Sequence, residues 1–466
     1  MSHVLAVHGT SGVMATYSDI SLFYQKQMEA GERVVQEPVK FDLEQYISNY
    51  KDATKLDRLL VIGRTSTLLG QDALQGAMQE AKRRKHVKGY RTAAEMLSQM
   101  SGKTQLSKAD SSWIATAEHA VKVETKRLED LLKGYRNNMI KESIRLTNEE
   151  LGDHYRKTGR LTFALNAYSG MREYCTGPFQ NYNLSLKLIL TAIEQKQWMS
   201  VTAQLSKLQT GVATLPGDLR LVAPSIAQAC YGLSQMMNRN YRAAADHFMS
   251  VDMVIGEHLD EVMTINDIAV YGGLCALASR DRRSLQTDVL EKARFRPFLE
   301  LEPHVRQTIT FFCGAKYGAC LDLLNSYRPD YLLDYFMRDH IEDIINIVKK
   351  ESIIQYFTPF SCVSIRAMAK AFSTEESVMV TELINMISNG RLDARIDTQK
   401  GLLLARERNE RAEMQQQALQ MIDGYQRAMR IRLMRMNIAW AGLELKGLKE
   451  SGRGPQRGPS ITDYTI

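Results

Sequence analysis

The sequence predicts a mainly α fold: a solenoid of stacked helical hairpins, then a winged helix, then one long C-terminal helix. Three observations carry this. A frame of bulky and small residues recurs four times between residues 161 and 324. The apolar period switches from 3.6 to 2 at residue 392. An apolar seam with spacings of three and four runs through 419–443.

Composition agrees with helix. The 466 residues are 44% hydrophobic and 24% charged, with only ten prolines. That length predicts two to three domains rather than one core. No apolar run approaches the ~18 residues of a membrane span, so no membrane partner is expected. The opening "MSHVLAVHGTSGVMATYSD" lacks the basic and apolar regions of a secretory signal. Six cysteines, at 175, 230, 275, 313, 320 and 362, form no CxxC pair and read as reduced, mostly buried thiols of a cytosolic or nuclear protein; nucleus and cytoplasm together are the expected location.

Residues 1–40 show no strong period and are expected to be irregular. Residues 41–145 read as an N-terminal helical region, because "DLEQYISNY", "TKLDRLLVIGRTS" and "ATAEHAVKVETKRLEDLLKGYRNNMIKESIRL" carry apolar positions three and four apart. The net charge of +7 is uneven. "AKRRKHVKGYR" (81–91) holds Lys82, Arg83, Arg84, Lys85, Lys88 and Arg91, and a second cluster holds Arg427, Arg430, Arg432 and Arg435. The first is either a nucleic-acid site or nuclear signal, or the solvated face of a helix continuing into "TAAEMLSQM"; the second reading is preferred.

Residues 146–350 carry the repeats. Leu161, Ala164 and Tyr168 set a frame that returns as Trp198, Val201, Leu205, as Tyr241, Ala244, Phe248, and as Tyr317, Cys320, Leu324. Gly152 and Gly232 precede Ala164 and Ala244 by twelve positions, the layout of a tetratricopeptide-like (TPR-like) hairpin. The expected reason is close approach of Gly152 to Ala164, with Tyr155 and Tyr168 filling the space beside it. A single hairpin cannot cover its own apolar face, so hairpins stack.

Residues 351–407 predict the winged helix. "ESIIQYFTPF", "SCVSIRAMAKAF" and "STEESVMVTELINMISNG" read as three helices. The third opens on a capping box, Ser373 to Glu376, buries Val380, Leu383, Ile384 and Ile387, and closes on Asn389–Gly390. "LDARID" and "LLLAR" then form a hairpin. The third helix carries Glu375, Glu376 and Glu382 and no cation, so a phosphate-lined groove repels it and sequence-specific DNA binding is not expected. The wing's alternative use is edge pairing with a neighbouring sheet. Residues 408–447 form one helix whose seam is Leu419, Ile422, Gln426, Met429, Leu433, Met436, Trp440 and Leu443; partner helices from other chains are the expected cover. The tail 448–466 reads as linker.

No reaction centre is visible. The sequence has no HExxH, GxSxG, GxGxxG, P-loop or CxxC motif; "GTSG" at 9–12 resembles a nucleophile elbow only superficially, and His154 and His247 are lone helical residues suited to packing or surface. No catalytic residue, metal or cofactor is expected.

Helical repeats, a winged helix and a terminal helix together resemble the PCI-domain family of the proteasome lid, the COP-9 signalosome and translation initiation factor three. The words "FDLEQYISNY", "DRLLVI", "LGDHY", "AVYGGLCALAS", "FLELEP", "YLLDYFMRDH" and "IQYFTPF" narrow the resemblance to the subunit-one family of the COP-9 signalosome, over about residues 41–440. It implies a non-catalytic scaffold in a complex that removes Nedd8 from cullins in cullin-RING ubiquitin ligases at a zinc held by a different subunit. It also implies partner contacts with other signalosome subunits at the wing (Leu392, Ala394, Ile396, Leu402, Leu404) and along the seam (Ile422, Met429, Met436, Leu443). A proteasome-lid subunit and an RNA-binding PCI protein are the alternatives.

Overall fold

Four hairpin turns share one backbone device. Gly159, Lys196, Arg239 and Ala315 all hold positive φ, and each lies two residues before a helix, opening at Leu161, Trp198, Tyr241 and Tyr317. A left-handed residue at that place reverses the chain between antiparallel helices. The four helix openings are the first residues of the four sequence frames, and all eight later frame residues are buried. The glycine acts differently from the expectation, however. A Cβ on Gly152 would lie nearest to the Tyr168 ring, inside contact distance, and one on Gly232 would lie 2.8 Å from the Phe248 ring. The small residue thus makes room for the aromatic sixteen positions on, rather than for the alanine at twelve.

The computed structural model describes residues 17–101, 108–211, 215, 217, 219–406 and 410–442. The chain opens with α1 (Tyr17–Glu29), α2 (Leu43–Ser48), α3 (Asp52–Thr65), α4 (Gly70–Arg84) and α5 (Val87–Met100). The expectation of an irregular first 40 residues is corrected over α1. Its apolar face is narrow, centred on buried Phe23 and Tyr24, and it is anchored by the Tyr24 hydroxyl donating to the Gly63 carbonyl at 3.0 Å and the Ser66 carbonyl at 2.5 Å. That anchor lies about forty residues away, beyond any local window. Residues 1–16, with "GTSG", lie outside the described residues.

The hairpin stack follows: α6 (Lys108–Asn137), α7 (Lys141–Lys157), α8 (Leu161–Met171), α9 (Pro178–Glu194), α10 (Trp198–Gly211), α11 (Leu219–Met237), α12 (Tyr241–Phe248) and α13 (Ile265–Ser279). Short pieces α14 (Arg282–Ser284) and α15 (Arg296–Leu301) lead into α16 (Pro303–Cys313), α17 (Tyr317–Leu333) and α18 (Ile341–Phe357). Buried side chains form two clusters. The smaller, with Leu132, Leu151, Tyr168 and Leu188, joins α6 to α9. The larger takes in α1 to α5 together with α9 to α13 and everything packed after them as far as the sheet, so the N-terminal helices share a core with the winged helix.

The wing has one more strand than expected. β1 (Cys362–Ser364) precedes α19 (Ile365–Ala371) and α20 (Glu376–Ser388), and β2 (Ala394–Asp397) and β3 (Leu402–Ala405) follow, giving an antiparallel sheet ordered β1-β3-β2. Residues 361–364 were expected to begin the second helix; three residues are too few to show a period of two. The predicted first helix of the wing is the last turns of α18, which stops before Pro359. The capping box does not form. Ser373 adopts φ +51 in the turn, and α20 is capped at Glu375 with no side-chain bond. Its buried face is Met379, Leu383 and Met386, while Ile384 is 52% exposed. Asn389 and Gly390 (φ +67) do end it. Beyond the wing, α21 (Glu410–Trp440) completes the described chain.

Candidate assembly surfaces

Among the described residues β1 and β2 are the edge strands of the wing, because β3 is central. Arg406 N–H donates to the Asp393 carbonyl at 3.3 Å, and Ala405 N–H to the Ser361 carbonyl at 2.8 Å. With the register Arg395↔Leu404 and Val363↔Leu403, residues 393, 395 and 397 face β3. Ala394 and Ile396 therefore aim their backbone N–H and C=O away from β3, along the edge of β2, as an unpaired strand must. Side chains on the same segment point elsewhere. Leu392 and Ala394 are buried in the core, Ile396 and Leu402 are half-buried, and Leu404 is 37% exposed. Of the five predicted wing contacts, Leu404 has the exposed side chain and Ile396 a half-exposed place on the edge, whereas Ala394 is 6% exposed, backbone included.

The second surface is α21. Every described residue from 411 to 442 is exposed, including Leu419, Ile422, Met429, Leu433, Met436 and Trp440, the last at 94%. Arg427, Arg430, Arg432 and Arg435 share this helix and are exposed with it. The chain itself covers none of the seam among the described residues. Leu443 and 444–447 lie outside them, as does the tail 448–466.

The basic run 81–91 is a turn rather than one continuous helix. α4 ends at Arg84, Lys85 takes φ +55, and α5 opens at Val87. Arg84 is buried, Arg83 pairs with Glu80 at 2.6 Å, Arg91 with Glu118 at 3.5 Å, and the Lys82 ammonium lies 5.3 Å above the Tyr90 ring. Lys82, Lys85 and Lys88 are the cations of this run that stay exposed without an ion pair among the described residues.

The core also holds a buried ionic cluster that composition and periodicity do not reveal. Arg58 on α3 is 0% exposed. Its guanidinium donates to Asp334 at 2.5 Å, to Asp267 at 2.9 Å and to the Tyr46 hydroxyl at 2.5 Å, and lies 4.0 Å from the Tyr50 ring centroid. Tyr50 and Tyr271 donate to Asp267 (2.8 Å) and Asp334 (2.7 Å). Thr264 and Asp267 form the capping box that opens α13, so the carboxylate is placed by its own helix. Burial pushes Asp267 up to about 6 against the pull of Arg58. Burial also works against the Asp334 carboxylate, yet Arg58 and the Met337 N–H hold it below its ordinary range. The cluster pins α2 and α3 to α13 and to the end of α17. An arginine inside "DRLLVI" was the sequence's one signal of it.

Chemistry-bearing residues do not converge. Among the described residues, no group of three His, Cys, Asp or Glu could hold a metal ion, and no helix is long and apolar enough to cross a membrane. His154 meets the Thr125 hydroxyl at 3.1 Å, and His247 meets Gln228 at 2.7 Å while stacking on Tyr231. All six cysteines are free; Cys230, Cys275 and Cys320 are buried, and burial pushes the Cys230 and Cys320 thiols up to about 12.

Comparison with known proteins places the chain in a family context. The model described as 26S proteasome subunit RPN7 matches residues 110–288, and the PCI domain model matches residues 324–407, from within α17 to just past β3. The COP9 signalosome complex subunit 1 of Emericella nidulans is 44% identical over 430 residues, 90% of this chain and 86% of its own. Proteins of the same description from Neurospora crassa and Arabidopsis thaliana are 36% and 34% identical. They match 86% and 85% of this chain, and 91% and 89% of their own lengths.

Proposed function

The chain belongs to the family of COP9 signalosome complex subunit 1, and on that premise we propose that it is a non-catalytic scaffold subunit of that complex. In this role it supports removal of Nedd8 from the cullins of cullin-RING ubiquitin ligases, with the isopeptide bond cut at a zinc in another subunit. One observation carries the reading: α21 is 31 residues long, bears an apolar seam, and is exposed throughout 411–442. Burying one such side chain stabilises by roughly 1.5–3 kcal/mol, and a lone helix of this kind is marginal in water, so the seam calls for partner helices. The wing is the second proposed contact, made to the sheet of a neighbouring subunit through the β2 edge, with Ala394 and Ile396, and the exposed Leu404 side chain on β3. Work in both nucleus and cytoplasm is part of the proposal, and imaging of the tagged full chain tests it.

Deleting the chain in cells and following cullins by electrophoresis tests the function. Nedd8-modified cullin accumulates on this account; an unchanged level contradicts it. A proteasome-lid subunit is the second reading, favoured by the proteasome family match over 110–288. Co-purification with the protease core, rather than with a small set of PCI subunits, decides for it.

A further inference from the structure

A cavity of about 460 Å³ opens beside the Arg58 cluster, between α2, the first turns of α13 and α16, and α17. Its walls include Tyr46, Tyr50, Tyr327 and Tyr331, together with the carboxylates of Glu302 and Asp330. Aromatic faces and carboxylates in one cavity select a positive charge, since the ring face is electronegative and each carboxylate adds Coulomb attraction.

The chain's own cations already use these walls in that way. The Lys40 ammonium sits 3.4 Å from the Tyr327 ring centroid and donates to the Ser326 hydroxyl at 3.0 Å. His304 stacks on Tyr327 at 4.2 Å, and Arg58 lies against Tyr50 at the cavity's inner end. The charge balance leaves a deficit. Asp267 and Asp334 share Arg58, whereas Glu302 pairs only with His304 (3.3 Å) and Asp330 accepts the Lys40 backbone N–H at 3.1 Å. Among the described residues neither Glu302 nor Asp330 has a Lys or Arg ion pair. Burial raises the Asp330 carboxyl, so a cation entering here would stabilise its ionised form.

We propose that this cavity binds an organic cation, a guanidinium or alkylammonium group, held between the tyrosine faces and the Glu302 and Asp330 carboxylates. An arginine side chain of a bound peptide and a free polyamine share that chemistry. Lys40 is exposed, and its ammonium competes for the Tyr327 face.

Calorimetric titration of the purified full chain tests this, with spermidine, acetyl-Gly-Arg-Gly-amide and, as neutral control, acetyl-Gly-Gln-Gly-amide. Saturable binding of at least one cation, and none of the glutamine peptide, is expected. Spermidine alone points to a free polyamine, and the arginine peptide to a protein side chain. The double variant Glu302→Gln/Asp330→Asn weakens binding by about tenfold or more, and Lys40→Ala, a surface change that leaves the fold intact, tightens it by about threefold. No saturable heat from either cation, equal binding of the neutral peptide, or no tightening in Lys40→Ala overturns the proposal.

Discussion

A methyl group added at Gly152 would sit inside contact distance of the Tyr168 ring, although alanine ordinarily favours a helix over glycine by up to about 1 kcal/mol. The packing effect is the larger one. Gly152→Ala is expected to destabilise by about 1–3 kcal/mol, while Gly134→Ala in α6, with nothing within 4 Å, is expected to gain the helical preference. Thermal unfolding of the two variants checks both signs. Arg58→Met leaves Asp267 and Asp334 uncompensated and is expected to cost about 3–5 kcal/mol in denaturant unfolding. Asp57 on α3 is half-buried; burial and nearby Glu194 push its carboxyl up to about 7, against Arg84 and Lys196. An unfolded aspartate ionises near ~4, so the folded chain holds the extra proton between these values and stability falls as pH rises through that window. Asp57→Asn removes the loss. Its advantage over wild type is expected to grow from about pH 4 to 7 and then level off, read from urea midpoints; an advantage constant with pH contradicts it. The small–aromatic frame was legible in sequence because spacing fixes which residues share a helix face. Which atom the glycine makes room for was not, since ring tilt leaves no periodic trace. Arg58's carboxylate partners lie over two hundred residues away, so no local window pairs them.

At the scale of elements, helices with a full turn of apolar period could be read from sequence, and short or turn-governed pieces could not. The hairpin of β2 and β3 followed from alternation at Leu392, Ala394 and Ile396, whereas β1 has too few residues to alternate. Ser373–Glu376 matched the spacing of a capping box, but the left-handed turn at Ser373 carries its hydroxyl away from that role. The bonding pattern of the wing yields a specific test. Ile396→Pro removes an N–H that faces the open edge and none that bonds β3, so the isolated chain keeps its fold at a cost of about 1 kcal/mol of side-chain packing. Association through the β2 edge, measured by pull-down of partner subunits, is expected to weaken. Undiminished association means that edge is not a contact.

Across the whole molecule, the two clusters of buried side chains divide the labour. α1 to α5 are locked through Arg58 onto α13 and α17 and so share their core with the winged helix, while a second, smaller core joins α6 to α9, with α9 contributing to both. α21 belongs to neither. That isolation separates folding from assembly, because a change on the seam alters no described contact within the chain. Met429→Glu should therefore leave unfolding of the free chain within about 0.5 kcal/mol of wild type, yet place a charge inside any helix bundle it joins. The most direct test is affinity purification of the tagged full chain and of its Met429→Glu variant from cells, with the recovered proteins identified by mass spectrometry. Wild type is predicted to bring down a set of PCI-domain subunits and the folded variant to come down without them; recovery of the same set by both contradicts the account.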